Sequence, residues 1–248
     1  GLSDAAANLV VFQVEGGDLG GALEKASDLL ARQPGSARAH FSMGYVERYA
    51  GLLEDSAREC ETARTLDRRN VVFRSCAYTF ILLGQYDRAI EYASVDAGSQ
   101  YFLFWKIDVL LRQGKRDETL QEIQKSDRRF FYSSRVLEAF LRHQPEGEIE
   151  ALSRDVEAFF LPLRDSERKY AAAATLAFCG RREAALRLLR RSVEENYLAC
   201  ATMDRDPLFA GIRDTPEFGR IRALALARQK QIVAPWKAKR LLSTRSGR

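Results

Sequence analysis

Glycine returns along this chain at a nearly constant interval. Gly17, Gly51, Gly84, Gly114, Gly147 and Gly180 are separated by 34, 33, 30, 33 and 33 residues. No other feature constrains the fold as much, because a fixed period of this size means that one small structural unit is copied and stacked. The stretch "LLGQYDRAIEYA", Leu82 to Ala93, shows the centre of the unit: an apolar helical run, a glycine, then Tyr86, Asp87 and the small Ala89.

With each glycine as position 15, the second unit is Ala37–Arg69, the third Asn70–Ser99 and the fourth Gln100–Tyr132. Each divides into two helices. In the second, "ARAHFSMGYVERYA" runs to Gly51, where the absence of a side chain permits a tight reversal, and "LLEDSARECETARTLD" returns antiparallel. Five residues after the glycine stand Ala22, Ser56, Ala89, Thr119 and Ala185, small enough for the two helices to approach closely; the fifth unit has Leu152 there, which predicts wider spacing. The 30-residue interval between Gly84 and Gly114 predicts a shortened second helix or loop and a local change of curvature. One hairpin cannot bury its apolar faces alone, whereas a stack forms a continuous core.

The pattern resembles the tetratricopeptide repeat. "MGYVERYAGLLEDSARECETARTLDRRN" and "LLGQYDRAI" carry the resemblance best, "GGDLGGALEKASDLLARQP" and "CGRREAALRLL" less fully. It implies an all-α superhelix of about six hairpins over residues 1–200. Beyond it, "DPLFAGIRDTPEFGRIRALALARQKQIV" has Asp206-Pro207 and Thr215-Pro216 as helix starts, followed by Phe218, Ile221 and Leu224. This predicts a capping helix within 201–234, and "APWKAKRLLSTRSGR", 235–248, reads as a flexible basic tail.

Charge follows the same division. Nine basic and no acidic residues lie after Gly219, which leaves 30 basic against 34 acidic in 1–218. The net charge of +5 therefore belongs to the tail, and nucleic acid is not expected as a partner. No run nears the ~18 apolar residues of a membrane span, and "GLSDAAANLV" has no basic-then-apolar leader, so no membrane insertion is expected in this chain. These features favour the cytoplasm, or an extracytoplasmic side if a membrane helix precedes the chain.

The runs "YVERYAGLLEDSARECETARTLDRRNVVFRSCAYTF", "SVDAGSQ" and "ENYLACATMDRDPLFAGIRDTPEFGRI" resemble the C-terminal repeat region of bacterial eukaryotic-like serine/threonine kinases. Similar regions also follow winged-helix regulators. The resemblance implies a sensory or recruiting region attached to an output domain elsewhere. The chain itself holds no glycine-rich phosphate loop, H-R-D string or D-F-G string, so no catalytic residue is assigned and an enzyme is the least favoured class.

No metal or cofactor site is expected either. His40 and His143 both fall on core positions of the repeat, and paired acids such as Glu194 and Glu195 lie on predicted helix surfaces. Cys60, Cys76, Cys179 and Cys200 match no zinc spacing. Cys60 and Cys76 fall on facing slots of adjacent units, where two buried thiols are the preferred reading over a redox pair.

Chemistry is then expected on the concave surface, which the first helix of each unit lines. The inward positions are Arg38, Phe41, Tyr45, Arg48 and Tyr49 in the second unit, Arg74 and Tyr78 in the third, and Tyr101, Phe104, Trp105, Asp108 and Arg112 in the fourth. Rings bury area at low entropic cost and guanidinium groups take carboxylates or phosphates, so this groove predicts a protein or peptide partner, with Trp105 as its anchor.

Overall fold

The repeating unit is a helical hairpin, and its turns are made by left-handed residues. Gly17, Gly51, Gly84, Gly114 and Gly180 all have φ between +73° and +91°. At each, the glycine N–H donates to a carbonyl three residues back and the next N–H to one five back, as with Gly51 to Arg48 (3.1 Å) and Leu52 to Glu47 (2.8 Å). These bonds satisfy carbonyls that the helix end would otherwise leave open.

The computed structural model describes residues 2–126 and 132–246, with the side chains of 2, 3 and 241–246 left aside. Among the described residues the chain is all-α, without a strand. Six hairpins follow one another: α1 (Leu2–Glu15) with α2 (Leu19–Arg32), α3 (Ala37–Tyr49) with α4 (Leu53–Leu66), α5 (Ala77–Leu82) with α6 (Tyr86–Ala93), α7 (Gln100–Arg112) with α8 (Arg116–Lys125), α9 (Ser134–Leu141) with α10 (Glu146–Phe160), and α11 (Ser166–Phe178) with α12 (Arg182–Glu194). The short α13 (Cys200–Met203) and the long α14 (Pro216–Ser246) complete the superhelix. Side-chain caps set several starts: Ser36 accepts from Ala39 N–H, Ser99 from Phe102 and Asp165 from Arg168.

Close helix approach is carried by the small residues. Ala22, Ser56, Ala89, Thr119 and Ala185 are all fully buried, and Ser56 Oγ donates to Gly44 O at 2.7 Å across the α3–α4 contact. The third unit is short as expected: α6 has 8 residues and ends in a 3-10 turn, Ser94–Asp96, against 14 in α2 and α4. Its first helix also opens as a 3-10 segment, Val71–Cys76.

Three expectations are corrected. The fifth hairpin does not turn at Gly147, which lies in the first turn of α10. His143 takes the left-handed position at φ +54°, with its N–H to Phe140 O and that of Gln144 to Ala139 O. Pro145 is the cause: lacking an N–H it stands as the N-cap of α10, so the reversal falls before it. His143 is thereby exposed and not a core residue, and Ile149, not Leu152, is the first buried residue of α10. Second, Cys60 and Cys76 are joined by a disulfide, with Cα atoms 6.0 Å apart, tying α4 to the third unit. Third, the helix does not stop at residue 234. α14 continues through Pro235 to Ser246, and Trp236 donates to Ser27 Oγ of α2 at 3.0 Å. Residues 247 and 248 of the expected tail lie outside the described residues.

Candidate functional site

Closure of the superhelix determines the site. The sixth unit and the segment after it return to the first two, so the concave surface faces its own chain at one end. Leu198 N–H donates to Tyr49 O at 2.7 Å, Asn196 Nδ2 to Gly17 O at 2.8 Å and Gln229 Nε2 to Ala50 O at 2.8 Å. Basic side chains of α14 meet acids of the first hairpins, Lys239 with Glu24 (3.0 Å), Lys237 with Asp55 (3.7 Å) and Arg240 with Glu47 (3.8 Å).

Four of the expected groove residues are packed away, Arg48, Tyr49 and Arg112 against residues that the closure brings in and Tyr78 against the fourth unit. Arg48 is 0% exposed; its guanidinium donates to both oxygens of Glu167 on α11 (2.5 and 3.1 Å) and to Ser75 O and Thr79 Oγ1 of the third unit. Tyr49 donates its hydroxyl to Asp165 at 2.9 Å and meets Tyr197 edge-on. Tyr78 is buried beneath Trp105, with which it stacks at 5.2 Å. Arg112 bridges Asp108 and Asp206, the latter at 2.9 Å. Buried arginines need such partners, since an unpaired charge in the interior is costly.

The other eight, Arg38, Phe41, Tyr45, Arg74, Tyr101, Phe104, Trp105 and Asp108, line one cavity of about 590 Å³. Its far wall comes from elements outside the expected set: Glu15 of α1, Phe160 of α10, and Asp165, Glu167 and Arg168 at the start of α11. The volume lies within the ~300–1,000 Å³ common for ligand pockets. Trp105 contributes to the wall but is only 7% exposed, packed between Tyr78 and Phe104, so it is a structural ring as well as a candidate anchor. Its indole N–H finds no acceptor among the described residues, nor does Asp108 Oδ2 find a donor.

Charge in the cavity is unevenly neutralised. Arg38 pairs with Asp4 (3.6 Å), and Arg74 pairs with Asp96 (3.3 Å) while its guanidinium lies 4.1 Å from the Tyr101 ring centre. Glu167 has Arg48, and burial nevertheless pushes its carboxyl up to about 7 against that attraction. Glu15 accepts from the Tyr45 hydroxyl at 2.7 Å; burial raises its carboxyl, with Asp165 adding to the rise and the Tyr45 bond, Arg48 and Arg168 opposing it. Asp165 accepts hydrogen bonds from the Tyr49 hydroxyl and from Arg168 N–H.

Sequence periodicity could not indicate the acidic wall, because Glu15 and Asp165 stand 150 residues apart and meet only through closure. The remaining candidates for chemistry lie elsewhere. His40 bonds Glu59 and Pro34 O through its two ring nitrogens, away from the cavity. No group of three or more His, Cys, Asp or Glu side chains is placed to hold a metal among the described residues, and no described helix is long and apolar enough to cross a membrane. Compared with known proteins, the chain matches no family and no curated protein.

Proposed function

We propose that the chain is a non-catalytic binding module that takes a segment of a partner protein in the concave cavity of a tetratricopeptide-like superhelix. One observation carries the reading: side chains from three successive hairpins, chosen by their position in the repeat, line a single ligand-sized cavity. Its walls combine rings with charged groups, the composition suited to holding a peptide by buried area and fixing it by hydrogen bonds. The sequence resemblance to repeat regions of bacterial serine/threonine kinases supports placing the module in a regulatory or recruiting role beside an output domain.

The test uses the whole chain. Peptides selected by display against the wild type would be titrated into protein labelled at the indole nitrogens, Trp105 reporting on the cavity and Trp236, bonded to Ser27, serving as internal reference. Saturable movement of the Trp105 signal, weakened in Tyr101→Ala, is expected. Selected peptides that leave Trp105 unmoved would place recognition elsewhere. The same reading expects no ATP hydrolysis by repurified protein.

A further inference from the structure

The third unit opens unlike the units around it. α1, α3, α7 and α11 run as α-helix for 13 or 14 residues, whereas the first helix here is a six-residue 3-10 segment, Val71–Cys76, followed by the six residues of α5. Its N–H groups reach carbonyls three residues back, Phe73 to Asn70 at 3.0 Å and, just beyond, Ala77 to Arg74. Runs of 3-10 helix beyond about four residues are uncommon, because their hydrogen bonds are poorer than those of an α-helix. This one carries a covalent tether.

The tether is the Cys60–Cys76 disulfide. Cys60 stands in the middle of α4, packed so closely on α3 that a Cβ added at Gly44 would lie 3.5 Å from its sulfur. That end is fixed in the core. Cys76 is the last residue of the 3-10 segment, so the bond pins the segment where it joins α5. The same six residues carry part of the cavity wall. Val72, Arg74 and Ser75 all line it, Arg74 packed on Tyr101 and Ser75 accepting from buried Arg48 through its carbonyl (3.1 Å) and its hydroxyl (3.3 Å).

Untied, the segment can wind as its counterparts do. An α-helix turns about 100° per residue against about 120° for a 3-10 helix, and rises about 1.5 Å against about 2.0 Å. Referred to α5, rewinding swings Arg74 by roughly 60° and Val72 by roughly 100° and shortens the segment by about 3 Å. Those side chains then leave the wall.

We propose that the Cys60–Cys76 disulfide is a redox switch on the cavity: oxidised, it holds Val71–Cys76 in the 3-10 form that presents Val72, Arg74 and Ser75; reduced, it lets the segment wind as α-helix and withdraw them. The reductant is a dithiol. One of its thiolates attacks a cystine sulfur and breaks the S–S bond, forming a mixed disulfide, and its second thiolate then expels the remaining protein sulfur. The dithiol gives up two electrons and two protons and leaves as its own disulfide, while Cys60 and Cys76 end as thiols. Both sulfurs are buried, so attack follows opening of the segment from its half-exposed first residue, Val71. The consequence for a ligand rests on the binding-module reading; the rewinding is read without a ligand.

The whole chain is treated with dithiothreitol, and thiols are counted by alkylation and mass after denaturation. The count should rise from two, Cys179 and Cys200, to four. In the reduced protein, nuclear Overhauser contacts from each α proton to the amide four residues on, a mark of α-helix, should appear across Val71–Cys76, and reoxidation should erase them. Display-selected peptides should bind the reduced form about tenfold more weakly. Cys60→Ala with Cys76→Ala should reproduce the reduced state without reductant; if that variant does not fold, the reduced wild type decides alone. A segment that stays 3-10 after reduction would overturn the proposal, as would global unfolding on reduction or a count that stays at two in the folded protein. If the segment rewinds but peptides bind both forms equally, the switch does not act on the cavity and falls while the binding module stands; if peptides bind neither form, both fall.

Discussion

The two ends of the inner wall began with the same chemistry and reached different fates. At the α3 end, Arg48 and Tyr49 are buried against Glu167, Asp165 and Tyr197; at the α7 end, Tyr101 is 42% exposed and Phe104 half-buried on an open cavity. Residue type alone does not separate them, since both helices present rings and arginines; Arg48 and Tyr49 stand in the last turn of α3, Tyr101 and Phe104 in the first of α7. What differs is the opposing surface. The start of α11 and the backbone at Leu198 close on the last turn of α3, as Asp206 does on Arg112 at the end of α7, while the earlier turns of both helices keep the cavity in front of them. A concave position therefore becomes core or binding surface according to where the superhelix meets itself.

The strongest way to break this contrast is Arg48→Ala. It leaves the Glu167 carboxylate buried without its cation, and stability measured by urea denaturation should fall by about 3–5 kcal/mol. Adding Glu167→Gln should recover part of the loss by removing the orphaned charge. A loss below 1 kcal/mol would mean that the closed end is solvated and not sealed.

Next come two glycines with the same backbone. Gly51 and Gly84 both have φ +73°, but a Cβ on Gly51 would overlap the Leu198 carbonyl oxygen, whereas a Cβ on Gly84 meets nothing within 4 Å. Gly84→Ala should cost about 1–2 kcal/mol from the left-handed conformation alone. Gly51→Ala should cost roughly 1–3 kcal/mol more, because the C-terminal closure must also give way. Equal melting temperatures for the two variants would remove the distinction between the ends.

These glycines also show what was legible in the sequence. Turn chemistry is local, so the left-handed positions at Gly17, Gly51, Gly84, Gly114 and Gly180 could be read from the period. Gly147 misled because the period alone placed the turn there, while Pro145, two residues earlier, already required the reversal to precede it. The inner face was legible for the same local reason, and eight of its residues do line the cavity. Closure was not legible: the Arg48–Glu167 pair spans 119 residues, and no periodic signal reports which turn of a superhelix will contact which. The basic C-terminal stretch looked solvated because its acidic partners, Glu24, Glu47 and Asp55, lie in the first two hairpins.

Glu47 makes that docking testable by pH. It is 2% exposed, its Oε2 has no partner among the described residues, and burial pushes its carboxyl up to about 9, with Glu59 and Asp55 adding to the rise and Arg240 and Arg58 opposing it. In the unfolded chain the group ionises near its ordinary 4.5. Between these values the folded state keeps a proton that the unfolded state has lost, so this group's contribution to stability falls as pH rises from about 4.5 towards 9. Glu47→Gln should therefore stabilise the protein at pH 8, by about 1–3 kcal/mol, with the gain shrinking towards pH 5. A pH-independent effect would indicate that Arg240 keeps Glu47 ionised.

The smallest effect on stability is expected at the open end, with Tyr101→Ala. The ring has the Arg74 guanidinium 4.1 Å from its centre, so removing it forfeits a cation–π contact of about 0.5–1 kcal/mol at such an exposed site, with Arg74 still paired to Asp96. Its consequence for recognition should be larger than its consequence for folding, since the ring borders the cavity without supporting the core. The two readouts together separate the roles: an almost unchanged melting temperature with several-fold weaker peptide binding assigns Tyr101 to the ligand. Loss of stability comparable to Arg48→Ala would instead make the α7 wall a second closed end, and the contrast between the two ends would vanish.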